Sequence, residues 1–103
     1  MPLYLVDRDL PGIAIAQLVA AQRRVIEAIG RPTGGHPRIR YLRCTFVPAD
    51  SRVMCLFEAP EMRPVLEANE NGRFPFLRVV EVIECPPPSA PSERGENREE
   101  GCS

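Results

Sequence analysis

The chain is 103 residues long, with 13 basic and 14 acidic side chains; every basic one is arginine and the formal charge is −1. That length suits one domain with one modest core. The balance of charge excludes a protein that grips nucleic acid by bulk positive charge, or a membrane by a polybasic anchor. No apolar run approaches the roughly 20 residues that span a bilayer, and acids enter at Asp7 and Asp9, too early for a signal peptide. The expectation is a soluble, cytoplasmic protein with no nucleic-acid or membrane partner. Cysteines at 44, 55, 85 and 102 form no CxxC pair, so reduced thiols are expected rather than a disulfide framework.

Leu3 to Val6 reads as a strand closed by Asp7 and the Pro11-Gly12 turn. From Ile13 to Ile29 apolar residues recur at Ile15, Leu18, Val19, Val25, Ile26 and Ile29, which predicts an amphipathic helix ended by Gly30 in a left-handed cap. Its N-terminal cap is weak. The loop from Arg31 to Arg38 carries two prolines, two glycines and His36, and is expected to be mobile.

IRYLRCTFV (39–47) and RVMCLFE (52–58), joined by Pro48–Ser51, predict a β-hairpin. That connection sets Val47 opposite Arg52, Thr45 opposite Met54, Cys44 opposite Cys55, Arg43 opposite Leu56 and Tyr41 opposite Glu58. A second helix is expected from about Pro60 to Asn71, with Pro64 tolerable only near its start and Gly72 at its end. Phe76 to Ile83 is the last strand. Residues 86–103, rich in Pro and Glu with no aromatic or branched aliphatic residue, predict a disordered tail behind a domain at 1–85.

The order β-α-β-β-α-β is that of an α+β, ferredoxin-like sandwich: a four-stranded antiparallel sheet with both helices on one face. Period-two alternation puts Leu42, Cys44, Phe46, Val53, Cys55 and Phe57 under the helices, and Tyr41, Arg43, Thr45, Met54, Leu56 and Glu58 on the open face. A half-apolar open face calls for a second subunit or a ligand.

Several blocks together, MPLYLVDRDLPGI, RYLRCTFVPADSRVMCLFEAP, the end of helix two around Asn69, and PFLRVVEVIE, resemble a family of small bacterial proteins. Formerly a domain of unknown function, the family is now described as nickel-binding or nickel-responsive. The resemblance covers residues 2 to about 84. It implies a ferredoxin-like subunit, a homodimer and nickel binding or sequestration without a demonstrated reaction, and it assigns no ligand to particular residues of this chain. Cys44 departs from the serine expected in that block, and the tail lies outside it.

Nickel(II) takes imidazole, thiolate and carboxylate ligands. The candidates are His36, the sole imidazole, with Asp7, Asp9 and Glu58; each has a plainer reading, as a solvated loop histidine or as acids paired with arginines such as Arg8 or Arg43. Asp7 and Asp9 share a side if the strand runs that far. Cys44 and Cys55, as cross-strand neighbours, could share a soft metal ion or form a disulfide, or simply pack in the core. A competing reading is a small-molecule enzyme or binder of the dimeric α/β-barrel type, with Tyr41, Arg43, Glu58 and Glu81 as a cleft on the open face; its plain counterpart is an Arg43–Glu58 ion pair. A pure interaction module is a third. Arg8, Arg40, Arg43, Arg52 and Arg78 fall close to Asp7, Asp9, Glu58, Glu81 and Glu84, so guanidinium pairing is expected to engage many of these acids.

Overall fold

In the computed structural model, residues 1–88 are described. The chain runs β1 (Leu3–Asp9), α1 (Ile15–Ile29), β2 (Arg40–Val47), β3 (Arg52–Glu58), α2 (Met62–Asn71) and β4 (Arg78–Val82), with a single 3-10 turn at Pro48–Asp50 in the hairpin. The strands form one antiparallel sheet in the order β2-β3-β1-β4, so β1 and β3 are central and β2 is an edge. This is the expected ferredoxin-like α+β fold. The expected tail falls largely outside the described residues, as does Cys102.

The hairpin register follows expectation from Val47↔Arg52 to Arg43↔Leu56 and then slips. Leu42 is the extra residue of a β-bulge, which sets Tyr41 opposite Phe57 and Arg40 opposite Glu58. A one-residue slip exchanges faces. Tyr41 therefore turns to the helix side, its ring centroid 5.0 Å from that of Phe57, while Leu42, expected under the helices, is exposed. Sequence alternation could not foresee the bulge.

The core joins Tyr4 and Val6 of β1 to Val53, Cys55 and Phe57 of β3, under Leu18, Ala21 and Val25 of α1 and Val65 and Ala68 of α2. Helix α1 packs by Leu18, Ala21, Val25 and Ala28, whereas Ile15, Val19 and Ile26 remain exposed. Alanines let the helix approach closely, and the packed stripe is narrower than the apolar pattern suggests. The start of α1 lacks a side-chain cap at Ala14, and Gln17 Oε1 accepts from the Ala14 N–H at 2.8 Å instead.

Gly30 is not left-handed (φ −86°); its N–H still completes a bond to Ile26 O, and positive φ falls at Gly34. Helix α2 begins at Met62, which leaves Pro64 in its first turn, where no intrahelical N–H bond is lost. Gly72 is helical in φ, and Arg73 takes the left-handed position (φ 53°). What Gly72 supplies is space: a Cβ there would lie 2.8 Å from Val25 Cα. Arg24 reinforces this junction, donating from Nε to Gly72 O at 2.9 Å and from Nη2 to Arg73 O at 3.1 Å. Strand β4 is shorter than the apolar run from Phe76 to Ile83 suggests, because its pairing with β1 begins at Asp7↔Arg78.

Candidate functional site

The sequence candidates do not gather in one place. Asp7 and Asp9 do share the open face, since β1 runs to Asp9. Asp7 is nearly buried and its Oδ2 meets both Arg52, by a hydrogen bond, and Arg78, at 3.5 Å; neither Arg8 nor Arg43 is its partner. Asp9 is exposed at the strand end. Glu58 lies opposite Leu3, at the other end of β1, and pairs with Arg40 at 3.0 Å rather than with Arg43. Arg43 pairs with Glu84. Among the described residues no three His, Cys, Asp or Glu side chains cluster as a metal site.

The alternative cleft is split between faces. Arg43 and Glu58 stay on the open side, but the bulge sends Tyr41 to the helix side, and Glu81, opposite Tyr4, shares that side. What remains on the open face is a shallow groove of about 310 Å³ lined by Leu5, Met54, Leu56 and Val82 among others, closed by the Arg43–Glu84 pair.

His36 sits between two backbone hydrogen bonds, its N–H donating to Ile29 O at 2.9 Å and its carbonyl accepting from Ile39 N at 3.0 Å. The loop expected to be mobile is tied here, and Gly35 is needed because a Cβ would reach Arg31 O at 2.3 Å. The imidazole is mostly covered. Its Nε2 is buried without a hydrogen-bond partner, 3.7 Å from Oε1 of Glu67 on α2. Glu67 was absent from the sequence candidates; only the folding of the loop onto α2 brings it there.

The most unusual chemistry lies under the helices. Arg8 shares the parity of Tyr4 and Val6 and is fully buried on the covered face. That parity was the legible signal for it. Its guanidinium stacks 3.5 Å from the Phe74 ring centroid, donates from Nη1 to Phe74 O (3.0 Å) and Pro75 O (3.3 Å), and from Nη2 to Asn69 Oδ1 (2.5 Å). Asn69 is in turn oriented by donating from Nδ2 to Val65 O at 2.8 Å. Among the described residues no carboxylate neutralises Arg8, and its Nε has no hydrogen-bond partner.

The acidic groups whose charge Arg8 feels are Cys55, Tyr41 and Cys44. Burial depresses the guanidinium's pKa, and these groups oppose that effect. Cys55 is buried and Cys44 half-buried, in register across the hairpin as expected. The Tyr41 hydroxyl donates to Gln22 Oε1 at 2.6 Å and lies 3.7 Å from Cys55 Sγ. A hydrogen bond from Cys44, helped by Arg8, draws the Cys55 thiol well below its usual pKa against the effect of burial. The same bond, with burial, pushes Cys44 up, and burial foremost pushes Tyr41 up. The two shifts run in opposite directions, so across the pair negative charge is favoured on the inner sulfur over the outer.

This has a sign for stability. A thiol whose pKa is lowered on folding contributes fully above the unfolded value of about 8.5 and loses that contribution as pH falls through its folded pKa. Cys44, raised, does the reverse and loses stability as pH climbs beyond the unfolded value. The difference in urea midpoint between wild type and Cys55→Ser should therefore grow as pH rises from mildly acid to about 8.5. A difference that stays constant over that range would contradict an ionised Cys55.

The chain matches a family model described as nickel responsive protein SCO4226-like over residues 4–82. Its fold is similar to the crystal structure of SCO4226 from Streptomyces coelicolor A3(2), with a TM-score of 0.70 and 18% identity, covering 82% of this chain and 99% of that one. At that identity the likeness speaks to the fold alone. No curated protein matches the chain. Among the described residues no helix is long and apolar enough to cross a membrane.

Proposed function

The chain belongs to the nickel responsive protein SCO4226-like family, and from that premise we propose that it binds or sequesters nickel as a non-enzymatic homodimer, with His36 as the ligand that anchors the ion. The observation that carries this reading is the buried, unpartnered Nε2 of His36 beside the Glu67 carboxylate. A covered imidazole nitrogen without a partner costs free energy unless a donor or a cation meets it. Imidazole and carboxylate are ligands that nickel accepts. Two ligands do not complete a coordination shell, so solvent or the second subunit supplies the remainder.

Asp7 and Glu58 already face arginines, which narrows their use as ligands. Asp9, exposed and at the far end of α1 from His36, would serve a separate ion or the partner subunit. The open sheet face supports the dimer: its centre is Leu3, Leu5, Met54, Leu56, Val80 and Val82, rimmed by the Asp7–Arg52, Arg40–Glu58 and Arg43–Glu84 pairs. An apolar centre within a polar rim is the anatomy of a subunit interface.

Calorimetric titration of tag-free protein with nickel chloride should give binding tighter than about millimolar, and His36→Ala should weaken it by about tenfold or more. Absence of nickel binding by the wild type overturns the reading, and unchanged affinity in His36→Ala removes that residue from it. Leu5→Lys, which sets a charge at the centre of the open face, should give monomer mass in sedimentation equilibrium. A wild type that sediments as a monomer would sink the dimer.

A further inference from the structure

Three observations meet at the hairpin and are unused by the nickel reading. A fully buried guanidinium lies under the sheet with no carboxylate partner among the described residues. Two cysteines face each other in register beside it, the inner one buried and the outer one reachable. And the β-bulge at Leu42, on edge strand β2, lies two residues from the outer cysteine. We propose that Cys44 and Cys55 are a redox-active dithiol that a small hydroperoxide closes to an intramolecular disulfide.

Arg8 explains why such a pair would be reactive. A buried cation needs a compensating charge, and with no carboxylate at hand among the described residues the thiolate is the group that supplies it. The thiolate, not the thiol, attacks. Cys55 is the sulfur on which charge is favoured, but it is enclosed; Cys44, opposite it, has the exposure. Transfer of the Cys44 proton to Cys55 runs uphill from the resting arrangement, and the minor form it produces carries the charge on the outer sulfur, where a neutral hydroperoxide can arrive.

The steps balance. The Cys44 thiolate attacks one peroxide oxygen; the S–O bond forms, the O–O bond breaks, and hydroxide (or alkoxide, from an organic hydroperoxide) leaves, so that Cys44 becomes a sulfenic acid. Cys55 then attacks the Cys44 sulfur; the S–S bond forms, the S–O bond breaks, and its thiol proton departs with the displaced hydroxide as water. Two sulfurs lose two electrons and the peroxide gains them.

Geometry permits the closure. Directly opposed residues of an antiparallel pair have Cβ atoms about 4.5–5.5 Å apart, and a disulfide requires about 3.5–4.5 Å. The approach needed is about an ångström or less. An edge strand interrupted by a bulge two residues from Cys44 can make it without disturbing a ladder on its outer side, whereas a central strand could not.

The test uses the full chain with Cys85→Ser and Cys102→Ser, leaving only the pair, treated with hydrogen peroxide and digested with trypsin. The expected product is the fragment 44–52 joined to the fragment that begins at Val53, with both thiols lost to Ellman titration and recovered by a reductant. In Arg8→Met the rate of closure should fall by about tenfold, because the thiolate loses its counter-charge. Three results overturn the proposal: both thiols surviving peroxide while the same chain unfolded in urea oxidises, disulfides formed only between molecules, or oxidation that halts at a sulfenic or sulfinic acid on one cysteine. An Arg8→Met protein that folds and closes at the wild-type rate overturns the role of Arg8. The wild-type arm stands by itself if that variant does not fold.

Discussion

Asn69→Leu should lower folding stability by about 2–3 kcal/mol, read as a fall in urea midpoint at unchanged slope. The side-chain oxygen it removes accepts from Arg8 Nη2, and both residues are fully inaccessible to solvent. Leucine restores volume but takes the acceptor from Nη2, while Nη1 keeps the Phe74 and Pro75 carbonyls. A buried charged group with an unsatisfied donor is the expensive outcome. Arg8→Met supplies the contrast: it keeps an apolar stem against the Phe74 ring and deletes the charge altogether, so it should cost less than Asn69→Leu. If Asn69→Leu changed stability by less than about 1 kcal/mol, Arg8 would have another way to satisfy its donors. The reverse ranking of the two variants would mean that packing of the arginine stem outweighs its electrostatics.

Gly72→Ala should cost about 3 kcal/mol, at the upper end of what overpacking a close-packed site costs, although alanine is the better helix former. The backbone of Gly72 is helical, with φ −79°, so no torsional penalty arises. The obstacle is Val25: an added Cβ would come within 2.8–2.9 Å of its Cα, Cγ2 and backbone N. Two of those atoms are backbone, so relief requires α1 and α2 to separate, loosening the bonds from Arg24 to Gly72 and Arg73. Calorimetric melting measures this directly. A rise in melting temperature would show that propensity decides at this position and that the helices have slack. Paired with Val25→Ala, the loss should be partly recovered, since that change removes Cγ2 from the clash though not the backbone contacts.

Both variants lie where sequence reading was least informative. Periodicity found the six elements because burial of one face imposes period 3.6 on helices and period 2 on strands, whatever the partner. It misplaced ends by about two residues at α1, α2 and β4 and by three at β1, which runs to Asp9, because hydrogen-bond partners rather than hydrophobicity decide there. Gly72 was legible as a helix end, but its reason, contact with Val25, was not. His36 was a visible candidate, yet Glu67 beside it depends on how an eight-residue loop settles against α2. Asp7 and Glu58 were expected to find arginines and do, but each with a partner other than the one named. Charge complementarity is written in composition; the particular pair follows from register.

The hairpin shows the same division at one residue. Alternation by itself determined that Cys44 faces Cys55 and that five of six hydrophobic positions point beneath the helices, since those residues share parity across a short connection. One inserted residue at Leu42 then reassigned Tyr41 from a polar cleft to the neighbourhood of Cys55. The sequence alone therefore determined the family, the α+β order of elements and the pairing of the two cysteines, all of them properties of pattern along the chain. The tertiary structure alone decided that Arg8 is buried with no carboxylate partner among the described residues, that Asn69 serves it, and that His36 meets Glu67. Each of those is a contact between residues distant in the chain, and the compensation of a buried charge depends on everything that surrounds it, which no local pattern encodes.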